Sequence, residues 1–301
     1  MDNYLLAIAV FAGLYALMAL GLNVIWGLAG MVNLGLAGFF AVGAYTSALL
    51  TVRLHLPIPL GWAAAALAAA AAGAVVALIT ARLRGDYLAI VTLGFSEVVR
   101  LVASNEIWLT GGTDGISGVP GPGRAALPTL QYNLLYAGLV WAAVAAVGAL
   151  LARLSAAPFG RVLRAIREDE VVAAVAGKRT LLFKVQAFAV GAGVLGLAGG
   201  LYAHFNAYVA PDAFQPLVTV YVVLALTAGG TGRMAGAVLG AVLVVALQEG
   251  TRFGADLLPG LAPVQVAALR TGVIGGALIL VLHIRPNGLL PEAAKRYGGP
   301  E

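Results

Sequence analysis

The fold class this chain predicts is all-α, a polytopic bundle of transmembrane helices, and three observations predict it. Hydrophobic residues make up 61% of the 301 and charged residues only 10%, far outside the range of soluble domains. Several apolar runs reach the roughly 20 residues that a membrane-spanning helix needs. The charges themselves collect in a few short stretches between those runs. About nine spans are expected, within a range of roughly 8–10, in a single transmembrane domain over residues 1–301 with a polar tail at 291–301. The net charge of +5 does not point to nucleic acid, because the basic residues sit in loops where membrane topology requires them. With no cysteine there is neither a disulfide framework nor a thiolate metal site. The opening MDNYLLAIAV has no basic stretch ahead of its apolar run and reads as the first span rather than a cleaved signal.

Taken in order, the first span covers about Tyr4–Trp26. The second stretch, Met31–Leu50, carries glycines at 35, 38 and 43. These weaken a continuous helix and allow close backbone approach, so the stretch is read either as a broken or re-entrant segment or as a tightly packed helix. Asn33, Tyr45 and, further on, Thr92 are its candidate pathway polar groups. The alanine-rich span Leu60–Ala81 is scaffold: alanine favours helix and permits close contacts. Arg82 and Arg84 then mark a cytoplasmic helix start, and Glu97 and Arg100 lie three apart on the fourth span. An ionisable pair inside a span is either functional or a mutually neutralised structural pair. A long glycine- and proline-rich loop follows, with Trp108 suited to the membrane interface.

The fifth span, Asn133–Leu154, delivers the chain to its one dense island of charge, residues 156–184. Arg161, Arg164, Arg167, Lys178, Arg179 and Lys184 crowd there with Glu168, Asp169 and Glu170. Pro158 suits the first turn of a helix and Gly177 its end. Between them Leu163, Ile166, Ala173 and Ala174 recur at helical spacing, with Arg164 and Glu168 four apart on the opposite side. The expectation is one amphipathic helix on the membrane surface, one face on the bundle and one offered to the cytosol. The plainer reading is a polybasic loop that fixes topology or touches anionic lipid.

The sixth span, Phe183–Ala203, repeats LGLAG at Leu195–Gly199 after Leu34–Gly38, a repeat signal no stronger than 40 glycines would produce. His204 is read as an interfacial residue, since three scattered histidines make no metal pair and no metal ligands are assigned. A short seventh span, Leu217–Gly229, leads to the tandem ridge Gly232, Gly236 and Gly240, suited to close helix packing. Gln248, Glu249, Arg252 and Asp256 are expected in a loop before a ninth span at Val266–Leu282.

Several of these stretches resemble LivM-type permeases, the membrane subunits of ATP-binding-cassette (ABC) importers chiefly for branched-chain amino acids. The strongest are RLRGDYLAIVTLGFSEVVRLV at Arg82–Val102 and GRVLRAIREDEVVAAVAG at Gly160–Gly177, followed by Lys184. AGFFAVGAY at Ala37–Tyr45, VAPDAF at Val209–Phe214 and the closing IRPNGLLPE are similar too. The family carries Gln or His near the second stretch, where this chain has Met31 and Leu36, and a proline where it has Ala237. The resemblance implies a coupling loop touching a separate ATPase through Arg161, Arg164, Arg167, Glu168, Glu170, Gly177 and Lys184. It also implies a LivH-type permease subunit, two ABC ATPase subunits and a substrate-binding protein as partners, with membrane lipid around them.

No GxxxxGK[ST] is present, so the chain is not expected to be an enzyme and needs no cofactor: energy comes from a partner, an ion gradient or nowhere. The leading expectation is half of an importer's pathway for leucine, isoleucine and valine. Alternatives are an ABC permease for urea, short amides or aromatic acids, and an ion-coupled carrier using Glu97 and Arg100. The carrier reading is opposed by few intramembrane charges and no obvious paired broken helices. The distribution of basic residues puts the island, Arg82, Arg84, Arg233, Arg285, Lys295 and Arg296 inside, and Arg53, Arg124 and Arg252 outside. A bacterial inner (plasma) membrane, the N-terminus out and the C-terminus in, is the expected setting.

Overall fold

The computed structural model describes residues 2–83 and 85–255, together with 265, 272–273, 275–276, 279–280, 283–285 and 288–290. The expected ninth span, the polar tail 291–301, Arg84 and Asp256 lie largely or wholly outside the described residues. Among the described residues eight helices are long and apolar enough to cross a membrane.

The helices, in chain order, begin with α1 (Asp2–Leu22), which continues through a π-helical turn at Asn23–Leu28. Then come α2 (Leu36–Arg53), α3 (Ile58–Ile79) and α4 (Asp86–Asn105). A single turn, α5 (Ile107–Thr110), precedes α6 (Thr129–Ala156). Two short helices, α7 (Pro158–Glu168) and α8 (Glu170–Val175), lead into α9 (Thr180–Asn206). The last two are α10 (Pro216–Gly229) and α11 (Met234–Ala255). Two two-residue strands, β1 (Ile116–Ser117) and β2 (Tyr208–Val209), pair antiparallel with Ile116 opposite Val209.

Small residues decide which helices touch. Carbon added at Gly43 would collide with the Gly196 backbone, and at Gly199 with the Phe40 carbonyl, so α2 and α9 meet backbone to backbone. Gly196 and Gly200 face Ala65 and Ala69 of α3 in the same way, which gives the alanine-rich scaffold helix its place. The two LGLAG copies therefore mark helices that pack together. At the other side of the bundle Gly236 and Gly240 lie against Ala225 and Gly229 of α10, whereas Gly232, the first of the expected ridge, occupies the turn before α11. Phe39, Phe188, Tyr136 and Phe214 fill the spaces between helices and are fully buried.

The bundle has two distinct ends. α7, α8, the turn after α3 and the turn after α10 share one, here the charged end, where residues 289 and 290 also donate to the Ala228 and Gly229 carbonyls. The far end holds the start of α1 and the loop around α5. There Arg53 donates to the Trp108 and Leu109 carbonyls at 2.8 Å, and Tyr4 donates to Glu249.

Three expectations need correction. Gln248 and Glu249 are not in a loop, because no glycine–proline break interrupts α11 before Ala255 and Tyr4 gives Glu249 a partner inside the bundle. His204 is not interfacial but fully buried, with Nε2 2.8 Å from Ser47 Oγ and Nδ1 against the Pro120 carbonyl. Broken helices are present as a pair, at the starts of α2 and α10.

That pair positions the middle of the molecule. After the π-helical turn the chain runs unwound through residues 29–35 before α2 begins. Leu34 N–H donates to Thr92 Oγ1 at 3.0 Å, and Thr92 lies six residues into α4, or about 9 Å at the helical rise. α2 therefore starts well inside the bundle. α10 starts inside it from the opposite direction, after the 3₁₀ turn Pro211–Phe214 packs Phe214 against Phe40 and Tyr45. The two starts meet where Ala37 N–H donates to Thr219 Oγ1 at 3.2 Å.

Candidate functional site: a two-helix platform at the charged end

The charged island folds as two helices rather than one. Pro158 sits in the first turn of α7, and Gly160 lies so close to the Ser155 backbone that a larger residue could not turn the chain there. Arg161 and Arg164 reach back to the last turn of α6, donating to the Ala156 and Ser155 carbonyls at 3.2 and 3.1 Å. These are carbonyls that a helix end leaves without partners of its own. Gly160, Leu163 and Ile166 form the buried face, at the spacing the sequence predicts, and Phe159 stacks near Phe183 of α9.

Asp169 ends α7 and starts α8. Its backbone is extended, and its Oδ1 accepts from Val171 N–H at 2.8 Å and Val172 N–H at 3.1 Å. A capping carboxylate there is the physical reason the continuous helix divides. α8 closes at Gly177, whose positive φ only glycine adopts freely, while Lys178 N–H returns to the Ala173 carbonyl. Of α8 only Ala173 is buried. Val171, Val172 and Val175 stand free on its outer face, Val175 at 85% exposure.

Two contacts fasten this platform to the bundle, and both are made by residues expected to touch the ATPase. Lys184, 7% exposed, lies in α9 with its Nζ 3.0 Å from Glu170 Oε1 and 3.5 Å from the Ala81 carbonyl. Arg167 passes over Gly30, which a side chain would obstruct, and donates to the Gly27 carbonyl in the π-helical turn. Asn23, in the first position of that turn, accepts from Gly232 N–H at 2.8 Å. Asn23 went unremarked in the sequence, although a carboxamide in an apolar span is itself the signal. Of the predicted coupling residues, Arg161, Glu168 and Gly177 remain exposed; Arg164, Arg167, Glu170 and Lys184 brace the fold. The open side of the platform is a groove of about 480 Å³ between α7 and α8, floored by Val162, Ala165, Val172 and Ala173 and rimmed by Arg161, Glu168 and Lys178.

The predicted pathway residues fall elsewhere, in the middle of the bundle. Asn33 is fully buried, with Oδ1 accepting from Gly35 N–H at 2.8 Å, and Thr92 accepts from Leu34 as above. Tyr45 lies one side of that break against Phe214. Glu97 and Arg100 form an ion pair on the flank of α4, with Arg100 Nη2 2.8 Å from Glu97 Oε2. The structure does not bring these residues together with the platform. It adds Thr219, indistinguishable by sequence from Thr227, the other threonine of α10.

The family model described as the permease component of branched-chain amino acid transport systems matches residues 4–282. The chain is 34% identical to the high-affinity branched-chain amino acid transport permease LivM of Salmonella typhimurium, over 94% of its own length and 69% of that protein. It is 29% identical to a probable LivM of Methanocaldococcus jannaschii, over 95% and 92%. It is 25% identical to LivH of Escherichia coli, over 93% of each. No solved structure matches.

Proposed function

This chain belongs to the family of permease components of branched-chain amino acid transport systems, and we propose that it forms one half of the pathway of an ATP-driven importer for leucine, isoleucine and valine. The other half is a related permease of the LivH type, since the chain is similar to both kinds of subunit. Two ABC ATPase subunits supply the energy, and a substrate-binding protein delivers the amino acid at the far end.

One observation carries the coupling role: the α7–α8 platform is braced to the bundle underneath and bare on top. Bare valines beside a charged rim are what a docking protein covers. With no phosphate-cradling motif of its own, the chain needs such a partner to draw on ATP. Orientation follows from charge. Arg82, Arg161, Arg164, Arg167, Lys178, Arg179 and Arg233 gather at the charged end, against Arg53 and Arg124 at the far end. The excess supports reading the charged end as cytoplasmic, with the N-terminus outside and the C-terminus inside the cell membrane.

The test is reconstitution of the chain with the permease, ATPase and binding-protein partners in vesicles. ATP-dependent leucine uptake that requires every subunit is expected. Uptake by the isolated chain, driven by an ion gradient alone, would overturn the reading.

A further inference from the structure

Among the described spans α4 packs chiefly on α2 alone, and its two flanks differ in chemistry. Thr92, Ser96, Val99 and Ala103 follow the buried stripe against α2, while Ile90, Val91, Val98, Leu101 and Val102 stand exposed and apolar. Between them, along one edge, run Glu97 and Arg100, with Ser104 above. Glu97 lies eleven residues from the start of a 20-residue helix, about 16 Å along it, near the middle of a span. Charge there is costly unless it does something.

The pair is also incompletely satisfied. Arg100 Nε and Nη2 both donate to the same oxygen, Glu97 Oε2, at 3.0 and 2.8 Å. Glu97 Oε1 is shielded and has no donor, and the buried Ser96 Oγ one residue away has no partner either. A resting structural pair of this kind would use both carboxylate oxygens. Here one acceptor and the outer guanidinium donors are left over, and the two side chains remain 31% and 28% exposed on the side of α4 that α2 does not cover.

Building on the permease assignment, we infer that Glu97 and Arg100 form a way-station for the zwitterionic head of an α-amino acid. Arg100 takes the carboxylate through its outer guanidinium donors, and the Glu97 carboxylate takes the ammonium. The aliphatic side chain rests on the adjoining apolar face of α4. An ion pair that opens for a zwitterion and recloses behind it holds the ligand without trapping it, because each partner regains its own counter-charge on release.

The chain has no cysteine, so single cysteines report cleanly on this flank. In the assembled complex, Leu93→Cys, one turn below Glu97, is expected to react with a membrane-impermeant thiol reagent. Leucine in excess should slow that reaction, whereas isovalerate and isoamylamine, each with one of the two charges, should not. Val98→Cys, on the apolar face, should show no such protection. Arg100→Gln should assemble with its partners, by copurification, yet lower uptake by roughly tenfold or more. The exchange Glu97→Arg with Arg100→Glu should also assemble without restoring uptake, since it reverses the polarity a substrate meets. Wild-type uptake in Arg100→Gln, full rescue by the exchange, or equal protection by the singly charged analogues would overturn the inference and leave the permease assignment standing. Absence of ATP-driven uptake by the wild-type complex would instead overturn that assignment.

Discussion

Lys184→Met separates a braced platform from a loose one. The Lys184 ammonium and Glu170 carboxylate are 9% and 21% exposed at their side chains, and Glu170 is the first residue of α8. Removing one member of a buried pair costs about 3–5 kcal/mol, chiefly by stranding the other charge. Glu170 keeps some access to water, so the cost here is nearer 2 kcal/mol. At about 1.4 kcal/mol per decade, that shifts the equilibrium between seated and detached α8 roughly 30-fold. The bundle itself should survive, because the small-residue seams among α2, α3 and α9 do not involve either charge. The assay is leucine imported per ATP hydrolysed in proteoliposomes, beside protease sensitivity at Val171–Val175. Coupling should fall several-fold and cleavage should quicken. Glu170→Gln added to Lys184→Met removes the second charge of this pair and should restore protease resistance in part, since losing both charges of a pair costs less than losing one. Unchanged coupling and unchanged cleavage in Lys184→Met would show that the ion pair does not hold the platform.

Val175→Asp puts a charge on the barest side chain of α8; loss of about 1.5–3 kcal/mol of apolar contact should weaken ATPase copurification tenfold or more while membrane insertion is unaffected. Asp169→Ala removes the cap of α8 and should cost about 1 kcal/mol, read as faster amide exchange at Val171 and Val172. Gly199→Ala drives a methyl group into the Phe40 carbonyl. It should lower the stability of the detergent-solubilised protein by about 1–3 kcal/mol or more, measured by thermal unfolding.

The spans were legible because a membrane demands long apolar runs, and their ends fell within a few residues of expectation at α3, α6, α9 and α10. Family membership was legible too, in the runs Arg82–Val102 and Gly160–Gly177. What periodicity could not reveal was where a helix stops for a local reason. Asp169 continues the helical pattern of its neighbours yet caps α8, because its carboxylate competes for backbone N–H groups. Arg167 looks like a surface charge in a polar stretch and Lys184 like one at the mouth of a span; only the fold brings Gly27 and Glu170 beside them. The broken start of α10 was hidden for the opposite reason. Pro211 and Pro216 announce a turn, but not that the turn lies inside the bundle facing Gly35–Ala37.

Paired broken helices are familiar from ion-coupled carriers, so their presence here calls for a reason to prefer an importer. The reason is the sign of what the break presents. α2 and α10 both direct their N-termini inward, and N-termini carry partial positive charge. The groups around them are already turned to hold N–H donors: Thr92 accepts from Leu34, Asn33 from Gly35 and Thr219 from Ala37. Asn33 leaves over its Nδ2, a donor, not an oxygen. Sodium needs several converging oxygens, whereas this break presents helix N-termini and a few side-chain oxygens that each already accept an N–H. The same polarity suits a bundle whose work arrives from outside. Arg167 ties the platform to the π-helical turn at Gly27, and Asn23 ties that turn to Gly232 below α10. Two hydrogen bonds therefore link α7 to the turn after α10, and the start of α10 is bonded to α2 through Thr219.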